Sequence, residues 1–294
     1  MKTLKKNWAN VMMEEPDVFE GEYIFQETRD VIKKPKVWTK PSTVLKSVGP
    51  KLVPFFKTVA VYFVLFIPQD KESWFAVIVK CAPILSLIIF VLLHGMSLGD
   101  EFQYSRRILL GLVASCLGDA FLIYKDYLIP GIAAFGIAQI MYISAFTFKP
   151  LNLPAGICVY SLCLIGCAFI VPNTNYFIGP IVFLYITLLG TSLWRAVARV
   201  QLFEDLWTWT KLCSCVGGVL FVLSDALLGF SMFVVDLPYQ QTLVMVTYYA
   251  AQFGIALSVV DSKAAFIAEN PHVLQKSQGS TRHSGSVFKL MKSQ

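Results

Sequence analysis

Residues 106–124 read RRILLGLVASCLGDAFLIY: two arginines, then an apolar run long enough to cross most of a bilayer, with Asp119 deep inside it. A carboxylate in hydrocarbon costs at least about 2.5–3.5 kcal/mol on insertion scales, so an acid kept there is a functional hypothesis by default. The pattern recurs in VGGVLFVLSDALLGF, residues 216–230, which places Asp225 in a second such run. In both copies a Gly lies eight residues ahead of the acid (Gly111, Gly217) and a small residue directly before it (Gly118, Ser224). Ala follows at once (Ala120, Ala226), and Leu comes three residues on (Leu122, Leu228). Two helices thus offer an acid in nearly the same local setting.

Hydrophobic residues make up 56% of the 294-residue chain, charged residues only 15%, and the mean hydropathy is +0.61. A soluble domain carries about a quarter charged residues. The expected class is an all-α membrane protein with many spans. The net charge of +6 comes with Lys and Arg gathered in particular loops, which reads as membrane topology and not as a nucleic-acid footprint. The first fifty residues are polar and show no apolar core of a signal peptide. All seven cysteines (81, 116, 158, 163, 167, 213 and 215) fall in apolar runs, which fits packing better than a disulfide framework. With three histidines, two of them in the C-terminal tail (His272, His283), and no CxxC pair, no metal site and no cofactor are expected.

The chain divides into a polar, largely disordered N-terminal tail over 1–51, an eight-helix transmembrane catalytic domain over 52–262 and a polar C-terminal tail over 263–294. Spans are expected at about 52–67, 73–94, 106–123, 128–148, 153–171, 177–198, 211–230 and 239–260. Eight spans put both termini on one side. If that side is cytosolic, it holds Lys36, Lys40, Lys46, Lys51, Arg106, Arg107, Lys149, Arg195, Arg199, Lys211, Lys263 and Lys276. The opposite side holds Lys71 and Lys125, which is the bias of the positive-inside rule. The acid-bearing spans are the third and seventh, hence parallel, and fit a parallel repeat of two four-helix units. FGIA at 135–138 recurs at 253–256 in the spans that follow.

Depth brings several polar groups together. Asp119 lies roughly 20 Å from the arginines at the start of its helix and Asp225 roughly 21 Å from Lys211. Lys80, about 10 Å in from the far end of the second span, falls in the same layer of a core about 30 Å thick. Tyr248 and Gln252 share one helix face beside Tyr249, and Gln139 and Tyr142 share another. In one bundle these groups converge on a buried polar pocket. The bland reading is that Lys80 locks helices together and that the Tyr and Gln side chains are interhelical glue. Arg195 and Arg199 read as snorkelling interface residues, and Trp194, Trp207 and Trp209 as interfacial anchors.

Two carboxyls in a low-dielectric site do not both ionise easily, so one keeps a proton while the other is held charged by a cation such as Lys80. That arrangement suits acid catalysis through a cationic intermediate, as two carboxyls serve glycosidases. A membrane substrate with comparable chemistry is a vinyl ether: protonation of its terminal alkene carbon gives an oxocarbenium ion, water adds, and the hemiacetal collapses to an aldehyde and an alcohol.

The stretches KCAPILSL (80–87), LGDAFLIY (117–124), AQIMYISAF (138–146), GGVLFVLSDALL (217–228) and TYYAAQFGIALS (247–258) resemble the YhhN-like lysoplasmalogenases, over roughly residues 52–262. The resemblance implies eight spans and, in animal members, cleavage of the vinyl ether of lysoplasmalogens. It implies that Asp119, Asp225 and Lys80 occupy characteristic polar positions. Gln139 stands where many members, bacterial ones especially, have His, so no titratable group is available there. The expected substrate is a 1-alkenyl lysophosphatidylethanolamine or lysophosphatidylcholine in a membrane. Asp119 and Asp225 would share the acid and charge-stabilising roles, and Lys80 would tune their proton affinity or meet the phosphate. Tyr248, Tyr249, Gln252, Gln139 and Tyr142 would orient water and the glycerol hydroxyl. The endoplasmic reticulum membrane is the expected location. The rival reading is a proton-coupled transporter or lipid flippase using the same acids. An intramembrane aspartyl protease fits less well, because GxGD and YD motifs are replaced by Cys-Leu-Gly-Asp119 and Leu-Ser-Asp225.

Overall fold

A computed structural model describes residues 41–65, 72–94, 99–200, 209–260 and 262, the side chains of 41–47, 209 and 210 excepted. Two compact units, Met1–Val44 and Leu45–Gln294, divide the chain. Of the first, only residues 41–44 are described, in the opening turn of a helix. Residues 1–40 of the expected N-terminal tail over 1–51, the expected C-terminal tail over 263–294, and Trp207 lie outside the described residues.

Among the described residues there are eight α-helices: α1 (Pro41–Leu65), α2 (Trp74–Leu93), α3 (Gln103–Phe121), α4 (Leu128–Phe146), α5 (Leu153–Ile170), α6 (Ile178–Ala198), α7 (Trp209–Phe233) and α8 (Gln240–Leu257). One helix occupies each expected span. The largest offset is in α1, which begins at Pro41, within the stretch read as tail. A proline in the first turn forgoes a hydrogen bond that no helix start could make, so it is compatible with initiation there. Ser73 caps α2 by accepting from the Ala76 amide at 3.1 Å, and Asn152 caps α5 by accepting from Ala155 at 3.2 Å.

Among the described residues six helices are long and apolar enough to cross a membrane: α1, α2, α4, α5, α6 and α7. The chain is a multi-pass integral membrane protein. The remaining two helices carry much of the polar chemistry. Arg106, Arg107 and Asp119 interrupt α3, and Gln240, Gln241, Tyr248, Tyr249 and Gln252 dilute α8. Val64, Trp74 and Ile157 stand on the outside, each at least 70% exposed, which is the surface that lipid tails satisfy.

α3 packs most extensively on α4, and α7 on α8. Small residues make both contacts possible. A Cβ on Gly118 would lie 2.6 Å from the Phe135 ring, and one on Gly111 would overlap the Tyr142 ring. On α7, a Cβ at Gly217 would lie 2.8 Å from the Ala251 carbonyl oxygen, while Ser224 donates to the Val244 carbonyl at 3.0 Å. The matched small residues ahead of each acid therefore face the next helix in both copies.

Candidate functional site

Asp119 is 2% exposed on α3, one residue after the glycine that admits Phe135. Donors reach both its oxygens. Lys80 Nζ of α2 is 3.5 Å from Oδ1, and the Tyr248 hydroxyl of α8 donates to Oδ2 at 2.6 Å. Behind Tyr248 the bonds continue in one direction. Gln252 Nε2 donates to the Tyr248 hydroxyl at 3.3 Å, and Tyr142 donates to Gln252 Oε1 at 2.9 Å. Ser115 Oγ lies 3.4 Å from the Tyr142 hydroxyl. Tyr249 donates to the Lys80 carbonyl at 2.9 Å and so braces the lysine's helix. A carboxylate with each oxygen engaged by a donor is an acceptor only, and the ammonium beside it supplies the countercharge.

Asp225 is held differently. Tyr185 of α6 donates to its Oδ2, and among the described residues no cation contacts it. Gln139 is 1% exposed, its Nε2 near the Tyr185 hydroxyl but short of hydrogen-bond geometry. Both acids line a single cavity of about 750 Å³, together with Lys80, Tyr185 and Tyr248. The sequence-derived set therefore gathers in one place: Lys80, Asp119, Tyr142, Tyr248 and Gln252 as one network, Tyr249 behind Lys80, and Asp225 with Gln139 close to its partner. Among the described residues no group of three or more His, Cys, Asp or Glu could hold a metal ion.

Tyr185 is the residue that sequence reasoning missed. A single tyrosine in an apolar span gives no local signal, since its ring belongs in such a run and its hydroxyl needs only one partner. One clue was present: Tyr185 precedes Asp225 by almost the same stretch of chain as Lys80 precedes Asp119.

Arg195 corrects the reading as a snorkelling residue. It is fully buried, donating from Nε to the Thr147 carbonyl at 2.7 Å and from Nη2 to the Pro150 carbonyl at 2.8 Å. Phe148 and Trp194 flank its guanidinium at 5.4 and 5.2 Å. The α4–α5 connection turns away from helical hydrogen bonding, and Arg195 supplies the donors its carbonyls lack. Arg199 lies against Tyr104 and Phe146. Trp194 is engaged internally, its Nε1 donating to the Asn152 carbonyl at 2.7 Å.

Fold and site define a class: a multi-pass helical membrane protein with two acids lining one internal cavity, one of them paired with a lysine. Comparison with known proteins narrows it. The YhhN family model matches residues 75–259, and the chain belongs to the YhhN family. It is similar to lysoplasmalogenase TMEM86A of Bos taurus, 42% identical over 225 residues, covering 76% of this chain and 94% of the relative. The Homo sapiens TMEM86A lysoplasmalogenase is 40% identical over 225 residues with the same coverage. Lysoplasmalogenase TMEM86B of Sus scrofa is 37% identical over 226 residues, covering 73% and 88%. No solved structure matches the chain.

Proposed function

We propose that this protein is a lysoplasmalogenase: an eight-span ether hydrolase, both termini cytosolic, of the endoplasmic reticulum membrane. It converts a 1-alkenyl lysophospholipid of the ethanolamine or choline class to a fatty aldehyde and the glycerophospho-base. Family membership and relatives named as lysoplasmalogenases support the activity. The observation that carries the mechanism is the unequal surroundings of two acids on one cavity.

In this mechanism Asp119 is the carboxylate, because Lys80 pairs with one of its oxygens and Tyr248 donates to the other. Asp225 carries the proton: among the described residues it has one tyrosine donor and no countercharge, and it lines the cavity. Asp225 protonates the alkene carbon remote from the ether oxygen. The resulting oxocarbenium ion sits against the Asp119 carboxylate, which stabilises charge that exists only along the reaction path. Water adds to the cationic carbon and returns a proton to Asp225. Collapse of the hemiacetal moves its hydroxyl proton to the departing glycerol oxygen, with Asp225 as relay. One water is consumed and one aldehyde and one alcohol are released. Matched placement of Lys80 and Tyr185 on the helices preceding the two acid helices favours a parallel repeat in which the second copy exchanged a cation for a neutral donor.

The test is aldehyde release by purified protein from an alkenyl lysophospholipid and from its saturated alkyl-ether analogue. Only the alkenyl form yields an oxocarbenium ion by protonation, so only it is cleaved. Transport of either lipid across proteoliposomes without new products would support the flippase reading instead.

A further inference from the structure

We infer that the cavity holds its lipid in one orientation, headgroup at Lys125 and Asp236 and alkenyl chain in an apolar arm between α5 and α6 whose neck is Gly166. This rests on the hydrolase reading above and adds to it where each end of the substrate goes.

The arm follows from helix faces. Val159, Cys163 and Gly166 of α5 and Ile186, Leu189 and Leu193 of α6 line the cavity, spaced so that each set shares one face. All are apolar or small. Cross-contacts fix the register of the two helices. Gly156 backs onto Trp194, Tyr160 and Thr191 share a 2.7 Å hydrogen bond, and Cys163 abuts Gly190. The helices therefore run antiparallel, with Gly166 nearest Tyr185 and the acids, and Val159 and Leu193 farthest away. From the level of Tyr185 to that of Leu193 is about 12 Å. Val159 and Leu193, both buried, are the farthest lining residues on these two helices, and beyond them Gly156 backs onto Trp194, while Leu162 of the lining is exposed on the outer face of α5.

The other end of the cavity is charged. Lys125, in the α3–α4 connection, and Asp236, in the α7–α8 connection, both line it and are both exposed. Among the described residues neither side chain makes an ion pair. One cation and one acid at a cavity mouth match a zwitterion, the phosphate facing Lys125 and the ammonium facing Asp236. Lys80 is already committed to Asp119. The acids lie between mouth and arm, where the ether bond of a lysolipid joins its polar and apolar halves.

Gly166 allows a clean test, because an added Cβ there meets no atom within 4 Å. The substrates are alkenyl lysophosphocholines from butenyl to hexadecenyl, with uncharged alkenyl glycerols as headgroup controls. Gly166→Leu, at the neck, should lower kcat/KM about tenfold or more from the shorter chains upward. Val159→Phe, at the level of Leu193, should spare chains too short to span the distance of about 12 Å and penalise those long enough to reach it. Gly49→Leu, at another open helical glycine away from the cavity, should change neither. Asp236→Asn should raise KM for the phosphocholine series and leave the alkenyl glycerols at wild-type values. Thermal unfolding of each variant separates misfolding from blockage. Losses independent of chain length in both arm variants, or an Asp236→Asn effect equal on charged and uncharged substrates, overturn the orientation while wild-type cleavage stands. Wild-type protein that releases no aldehyde from any alkenyl substrate overturns the hydrolase reading itself.

Discussion

The Tyr248 hydroxyl donates to Asp119 Oδ2 at 2.6 Å, joining α8 to α3 in the same layer where Lys80 meets the other carboxylate oxygen. Every hydrogen bond in the chain from Tyr142 through Gln252 to Tyr248 is oriented toward that acid. Asp225 ends a separate, shorter chain from Tyr185. The division of labour between two chemically identical side chains follows from this asymmetry.

Asp119→Asn and Asp225→Asn should each reduce aldehyde release by about a hundredfold or more, the scale of a lost general acid or of lost charge stabilisation. Both proteins should still insert in membranes, since asparagine keeps the volume and the capacity to accept. Aldehyde measured by hydrazone trapping in washed membranes, normalised to inserted protein, checks this. Near-wild-type turnover by either variant counts against the pair.

Lys80→Met should destabilise the protein by about 3 kcal/mol, because it leaves Asp119 buried without its cation. The double variant Lys80→Met with Asp119→Leu removes both charges and should recover most of that loss without recovering activity. Unfolding in a denaturant series on the two single and the double variants gives the coupling. Additive losses would mean that the 3.5 Å contact carries no coupling energy.

Tyr185→Phe deletes the one donor that the described residues offer Asp225. The expected effect is a fall of about tenfold in kcat, the scale of one hydrogen bond to an ionisable group, with KM close to wild type. An unchanged kcat, or a change confined to KM, would remove Tyr185 from the positioning of the acid.

Gly217→Ala should separate α7 from α8, since the new methyl would sit 2.8 Å from the Ala251 oxygen and 2.9 Å from the Ile255 nitrogen, both backbone atoms. Overpacking of this kind costs about 1–3 kcal/mol, read as a lower unfolding temperature. Gly166→Ala, where space is open, should not lower it. Equal behaviour of the two variants would contradict the close approach of these helices.

Much of this site was legible in the sequence because polar groups inside apolar runs are costly enough to be conspicuous. Asp119, Asp225 and Lys80 stand out on that ground alone, and helical spacing adds Gln252 to Tyr248. What was hidden depends on partners distant in sequence. Tyr185 matters because α6 passes Asp225, and nothing beside it in the chain says so. Arg195 sits where a snorkelling residue would, yet the carbonyls of Thr147 and Pro150 draw it inside. The paired glycines were visible as a pattern, but their purpose, an aromatic ring against Gly111 and a neighbouring backbone against Gly217, appears only in the packing. The start of α1 at Pro41 was obscured by the lysines and prolines that make that stretch resemble a tail.

The most direct measurement of the central claim is hydrolysis of an alkenyl lysophospholipid in heavy water, with the aldehyde trapped at once and analysed by mass spectrometry. Protonation of carbon by an acid in exchange with solvent predicts one deuterium on the carbon next to the aldehyde carbonyl. An aldehyde released without that deuterium would contradict the account.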